Sequence, residues 1–168
     1  MTHPAAEQFP AIRTWIQKQA AEQSLEGIRD YVASQYERLL EAIATVSEST
    51  LANPLAEGEW SAIEAFKHVV EWNWQVGEDV LHACLMGERP GNPRPSFPAE
   101  RDALTSRLRE SLDSVWAHVS AADPAAFLDV TWEHPFFGQL NWREWFWFLG
   151  VHAMDHTNQV KAAGGGDD

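Results

Sequence analysis

Apolar residues recur every three to four positions over most of this chain, and the breaks between those runs mark out its helices. After a loose start over residues 1–8, Phe9, Ile12, Trp15 and Ile16 predict a short helix over 9–20. From Ser24 to about Ser47, Leu25, Ile28, Val32, Leu39, Ile43 and Val46 keep helical spacing with charged residues between them, which predicts the first long helix. "ESTLANPLAEGEW" interrupts the pattern with Pro54 and Gly58. A second long helix is expected from Ser61, which forms an S-x-x-E capping box with Glu64, to about Met86, with Gly87 as the stop. The loop "GERPGNPRPSFP" is too rich in proline to continue it. Leu104, Leu108, Leu112, Val115 and Val119 predict a third helix over about 98–120, and Asp123-Pro124 predicts a short turn at 124–128. "DVTWEHPFFGQL" reads as irregular or briefly extended. The last helix is expected from Asn141, with Asn141 and Glu144 as a second capping box and Leu140 and Trp145 at the staple positions. It ends before the glycine-rich tail at 164–168, which is expected to be disordered.

Four long helical segments and no convincing set of strands predict an all-α fold, a four-helix bundle. The length suits a single domain over 1–168, with 1–22 as an N-terminal helical extension. Nine Trp and eight Phe then imply a dense core or a large contact surface. On the last helix Trp147, Val151 and Met154 lie roughly opposite His152 and Trp145, so two of its faces are apolar. Either the extension (Trp15, Ile16) covers the second face or another chain does.

Charge narrows the partners. A net charge of -13 repels phosphate backbones and argues against nucleic-acid binding. No apolar run is long enough to span a membrane, and the N-terminus has neither the basic nor the apolar region of a signal peptide. Cys84 stands alone, so no internal disulfide can form, which suits a reducing cytoplasm.

The chemistry lies in the histidines. His152 and His156, four residues apart, stand about 40° and one turn apart on a helix, so both rings can reach one ion. They can equally be two ordinary residues of an aromatic helix. The residue after His152 is Ala153, which excludes the H-E-x-x-H metalloprotease pattern. A third ligand would have to come from His3, His68, His82, His118 or His134. His3 lies in the loose terminus, and His118 ends a helix whose dipole favours an imidazolium. His134 either lines the mouth of a site or is simply exposed. His68 shares a stripe with Glu64, Trp72, Gln75, Asp79 and His82, within about 40° on an α-helical wheel, and such polar stripes usually face water. Cys84 points about 160° away, as a small core residue does.

Two stretches together carry a resemblance. "EWSAIEAFKHVVEWN" resembles the W-S-x-x-E-x-x-x-H helix start of the DinB-like (DinB/YfiT) superfamily, filled here by Trp60, Ser61, Glu64 and His68. "HPFFGQLNWREWFWFLGVHAMDHTNQV" resembles its last helix through Gly138, Leu140, Glu144, Trp145, His152, His156 and Gln159. The resemblance implies a four-helix bundle holding a divalent metal on His68, His152 and His156, with no departure at those positions. It also tilts the second apolar face of the last helix towards a homodimer.

Three imidazoles leave coordination positions open, as catalytic sites do. Zinc or nickel leads, with iron or manganese also compatible with such ligands. The superfamily includes thiol-dependent S-transferases and isomerases, so the leading expectation is an enzyme that activates a low-molecular-weight thiol towards a small electrophilic substrate. Glu64, Gln75 and Gln159 are the expected ligand-supporting or substrate-orienting groups, and no general base is singled out. A metal-dependent hydrolase on the same site is the alternative, and a non-catalytic metal-binding or interaction protein the third.

Overall fold

The computed structural model of the protein describes residues 6–165. Expectations for His3 and for the tail beyond Gly165 fall outside the described residues. A turn at Ala6–Gln8 leads into α1 (Phe9–Glu22), followed by α2 (Leu25–Thr45) and a one-turn α3 (Glu48–Leu51) inside the expected loop. Next come α4 (Ala62–Gln75) and α5 (His82–Leu85), then α6 (Arg101–Val119), strands β1 (Thr131–His134) and β2 (Gly138–Asn141), and α7 (Trp142–Ala163). The long helices α2, α4, α6 and α7 form the bundle, and Gly164 and Gly165 close α7 with a turn.

Both expected capping boxes are present. Ser61 N–H donates to Glu64 Oε2 at 2.8 Å while Glu64 N–H donates back to Ser61 Oγ at 3.4 Å. These bonds hold the Glu64 carboxyl below its usual range. At α7, Asn141 Oδ1 accepts from the N–H groups of Arg143 and Glu144 at 3.0 and 3.1 Å, and Glu144 Oε2 accepts from Asn141 N–H at 2.9 Å. Ser61→Ala removes one such cap and is expected to cost about 1 kcal/mol. A urea midpoint unchanged from wild type would contradict this.

The second long helix departs from expectation between α4 and α5. Val76–Leu81 forms a π-helical stretch, with the wider i→i+5 turn. Uniform α-helical arithmetic therefore loses phase beyond Gln75. Asp79 is buried and accepts from Gly91 N–H, Asn92 N–H and Asn92 Nδ2, all at 3.1 Å, which latches the proline-rich loop to the bundle. His82 turns away from His68 and packs on His118, with ring centroids 4.5 Å apart. Cys84 is fully buried, and burial pushes its thiol up to about 11, as a core residue.

Two further expectations sharpen. The third helix begins at Arg101 rather than Pro98. The stretch before α7, expected to be irregular or briefly extended, is a short antiparallel hairpin in which His134 pairs with Gly138, beside an otherwise helical bundle. Among the described residues, no helix is long and apolar enough to cross a membrane.

On the second apolar face of α7, Trp147 is covered from within the chain whereas Met154 stays exposed. Tyr31 stacks on Trp147 with centroids 3.9 Å apart, and Trp15 of α1 meets the same ring edge-on at 5.8 Å. Gly150 makes this approach possible: a Cβ there would stand 2.6 Å from Tyr31 Cε1. Arg143 ties α1 down. Its Nε and Nη2 donate to Ala20 O at 3.0 and 2.7 Å, Nη2 also donates to Gln23 O at 2.6 Å, and Nη1 reaches Pro124 O at 3.3 Å. These carbonyls include ones that the end of α1 would otherwise leave unpaired.

Candidate metal centre

His68 projects from the middle of α4, and His152 and His156 from adjacent turns of α7. The capping boxes start both helices at defined residues, and this sets which turns of the two helices face each other. The three rings converge, with centroids 5.2 Å (His68–His152), 5.0 Å (His68–His156) and 4.7 Å (His152–His156) apart. One ring nitrogen from each lies within 4.8 Å of the others. Nε2 of His152 and Nε2 of His68 are 3.3 Å apart. Two nitrogens bound tetrahedrally at ~2.0–2.1 Å to one zinc-like ion stand roughly 3.3–3.4 Å apart, so this spacing fits a shared ion.

Hydrogen bonds behind the rings decide their tautomers. Ser111 Oγ, beside the Tyr36 hydroxyl, donates to Leu108 O at 2.7 Å. Tyr36 Oη accepts in turn from Asn73 Nδ2 at 3.0 Å, and the same amide donates to Leu149 O at 3.2 Å. With its amide nitrogen committed to two acceptors, Asn73 offers Oδ1 to His152 Nδ1 at 2.8 Å. His152 therefore carries its proton on Nδ1 and presents a bare Nε2 to the cluster. Gln159 does the same for His156, its Oε1 lying 2.6 Å from Nδ1. The relay Tyr36–Asn73–His152 runs through α2, α4 and α7, so the bundle itself orients this ligand.

Burial pushes His152 well below the usual imidazole range, with the neighbouring His156 and His68 adding to the effect. Metal ligation needs the neutral ring, and these surroundings supply it.

Before the three histidines opens a cavity of about 620 Å³. Its walls are Phe9, Ile12 and Trp15 of α1, Trp60 and Trp72 around α4, Phe136 and Phe137 of the hairpin turn, and Phe148, Val151 and Met154 of α7. His134 lines it too, and Asp155 is the one carboxylate among the lining residues.

Of the expected supporting residues, Gln159 bonds a clustered ring, whereas Glu64 and Gln75 do not line the cavity. The Glu64 carboxylate is engaged in the cap of α4. Gln75 donates to Asn92 O at 3.2 Å and accepts from Arg94 Nε at 3.3 Å, so it holds the proline-rich loop. Asn73 escaped the sequence reading. Its one signal is an amide on an otherwise apolar helix face between Val69, Val70 and Val76. His134 is only 4 % exposed and sits inside the site mouth, its ring 4.5 Å from that of Phe148. Burial pushes it down to about 4.

A pH dependence follows. His134 and His152 stay neutral when folded, whereas the unfolded chain binds protons near the ordinary value of 6.5. Their contribution is complete above that value and is lost as pH falls from 6.5 towards about 4. Urea midpoints of metal-free protein should drop across that window. A flat profile would contradict the buried neutral state.

A family model described as the DinB superfamily matches residues 31–160. Among curated proteins nothing matches. A crystal structure described as TT2238, a four-helix bundle protein, is similar, with a TM-score of 0.59 and 24% identity over 83% of this chain and 99% of that one. At that identity the likeness speaks to the fold, and it agrees with the bundle described above.

Proposed function

This chain belongs to the DinB superfamily, and from that premise we propose that it is a metal-dependent enzyme which activates a low-molecular-weight thiol towards a small electrophile. The carrying observation is the placement of three imidazoles, two with tautomers set by Asn73 and Gln159, at the wall of a cavity large enough for a second molecule. His68, His152 and His156 would hold a divalent ion, which would act as a Lewis acid and favour a thiolate at neutral pH. Imidazole donors suit zinc, nickel or iron better than calcium or magnesium. The chain's own part is to hold those donors neutral, to present bare nitrogens and to keep water scarce around them with Trp60, Trp72 and Phe148.

The thiol reading is favoured over hydrolysis by what lines the cavity. Asp155 is exposed at its edge, and His134 is held neutral by burial with Nδ1 occupied, so neither is placed as a general base for water. A thiol, whose ordinary pKa of about 8.5 lies far below the ~15.7 of water, would release its proton to solvent with less help from the ion. The single buried Cys84 is in keeping with a reducing compartment where such thiols abound. The homodimer belongs to the same proposal: Trp15, Phe136 and Met154 remain 38%, 48% and 41% exposed around the cavity. A gel-filtration mass near 18.9 kDa would overturn it.

The test is consumption of a small aromatic electrophile by metal-loaded protein, with and without added thiol. Consumption that needs both thiol and His156 is expected. Equal consumption without thiol would favour the hydrolase, and none across a broad panel, with metal bound, the non-catalytic reading.

A further inference from the structure

The cavity is built almost entirely from aromatic and aliphatic side chains, and no Lys or Arg lines it. An anionic ligand would find no side-chain counter-charge there and would meet Asp155, on a chain of net charge -13, and the one positive charge, the ion on the three histidines, is already assigned to the thiolate by the proposed function. A cationic one would be repelled by the ion that the proposed function places on the three histidines. An uncharged occupant remains, and its apolar surface has Phe9, Ile12, Trp15, Trp60 and Phe136 to bury against.

Within these walls one further polar group is held in a defined state. His134 Nδ1 accepts from the N–H groups of Phe136 and Phe137 at 3.1 and 3.3 Å. A nitrogen that accepts carries no proton, so the proton of the neutral ring is on Nε2, at the opposite edge. That Nε2 has no protein hydrogen-bond partner among the described residues, although the residue is 4 % exposed and lines the cavity. The ring is clamped by Phe137, Phe148 and Trp145, with centroids 4.6, 4.5 and 5.3 Å away. Burial opposes a second proton, so the group remains a neutral donor at physiological pH. The donor opens onto the cavity, where an apolar lining offers it no acceptor and a ligand oxygen can supply one.

We propose that His134 is the positioning residue of this cavity, and that the cavity takes an uncharged, largely apolar small molecule carrying one acceptor oxygen, such as an aromatic ketone, aldehyde or ester, to which His134 Nε2 donates. This names the substrate class for the site proposed above and rests on that reading for the exclusion of charged ligands. Part of the selectivity comes from α1, whose Phe9, Ile12 and Trp15 lie outside the family match.

Three probes of similar shape test it by equilibrium dialysis against the full-length protein: benzophenone, diphenylmethane and diphenylacetate. Chelated protein is used so that no ion competes for oxygen. Benzophenone is expected to bind up to about tenfold tighter than diphenylmethane, the worth of one net hydrogen bond, and diphenylacetate weakest of the three. His134→Asn keeps an acceptor near the Nδ1 position for the turn but removes the Nε2 donor, and should bring the ketone-to-hydrocarbon ratio close to one in protein that a thermal melt shows to be folded. His134→Gln, whose amide reaches towards the Nε2 position, should restore part of the ratio. A wild-type ratio near one, a ratio unchanged in His134→Asn, or carboxylate binding as tight as the ketone overturns the proposal. Metal content is measured separately on protein as purified, so loss of the metal reading with the ratio intact is distinguishable from the reverse.

Discussion

Asn73→Leu should lower the affinity for a divalent ion by about 10–100-fold while leaving all three histidines in place. Leucine has much the same bulk but offers no acceptor to His152 Nδ1 and no donor to Tyr36 Oη or Leu149 O. His152 would then be free to move its proton to Nε2, the nitrogen that meets His68 Nε2 at 3.3 Å. Each population shift of that kind competes with ligation. Tyr36, 2 % exposed, would lose a partner that water cannot readily replace, so stability should also fall by about 1–3 kcal/mol. Competition against a chromophoric chelator reads the first effect and urea unfolding the second. A variant that loses stability but keeps wild-type metal affinity would show that Asn73 serves packing and does not orient the ligand.

Arg143→Leu is the second large effect, and it falls on the N-terminal helix. The guanidinium makes four hydrogen bonds to the carbonyls of Ala20, Gln23 and Pro124 from a nearly buried position. Leucine leaves those carbonyls without these donors, at a cost of about 2–4 kcal/mol after allowing for the relief of charge burial. The loss should concentrate in α1, because that helix depends on Arg143 to cap its last turn. Hydrogen exchange should therefore speed up over 9–22 more than over α2 or α7. Binding of apolar probes should weaken too, since Phe9, Ile12 and Trp15 form one wall of the cavity. Uniform acceleration across the whole bundle would mean that α1 is not held separately by this residue.

Features written in short-range chemistry were legible before any coordinates. Ser61 with Glu64 and Asn141 with Glu144 announced both helix starts because a capping box needs only residues three apart. The His152–His156 pair was visible for the same reason. What could not be read depended on contacts between distant segments. The π-helical turn at Val76–Leu81 has no periodic signature, and it rotates Asp79 and His82 away from the positions that uniform helical arithmetic assigns. Asn73 matters only because α7 brings Leu149 and His152 up to it, which a helical wheel of α4 alone does not contain. The stretch before α7 was legible as briefly extended, but the pairing of Thr131–His134 with Gly138–Asn141 depends on a register that the sequence pattern alone does not give. Trp147 looked like a face awaiting a second chain, yet Tyr31 and Trp15 cover it.

The central claim is that His68, His152 and His156 act together as one metal site. Its most direct test is the metal content of tag-free protein by elemental analysis, wild type beside His68→Ala, with thermal midpoints to show that both are folded. About one divalent ion per wild-type chain is expected, and essentially none in the variant, because two imidazoles alone hold such an ion weakly. Wild type without stoichiometric metal, together with an unchanged affinity for added metal in folded His68→Ala, would contradict it.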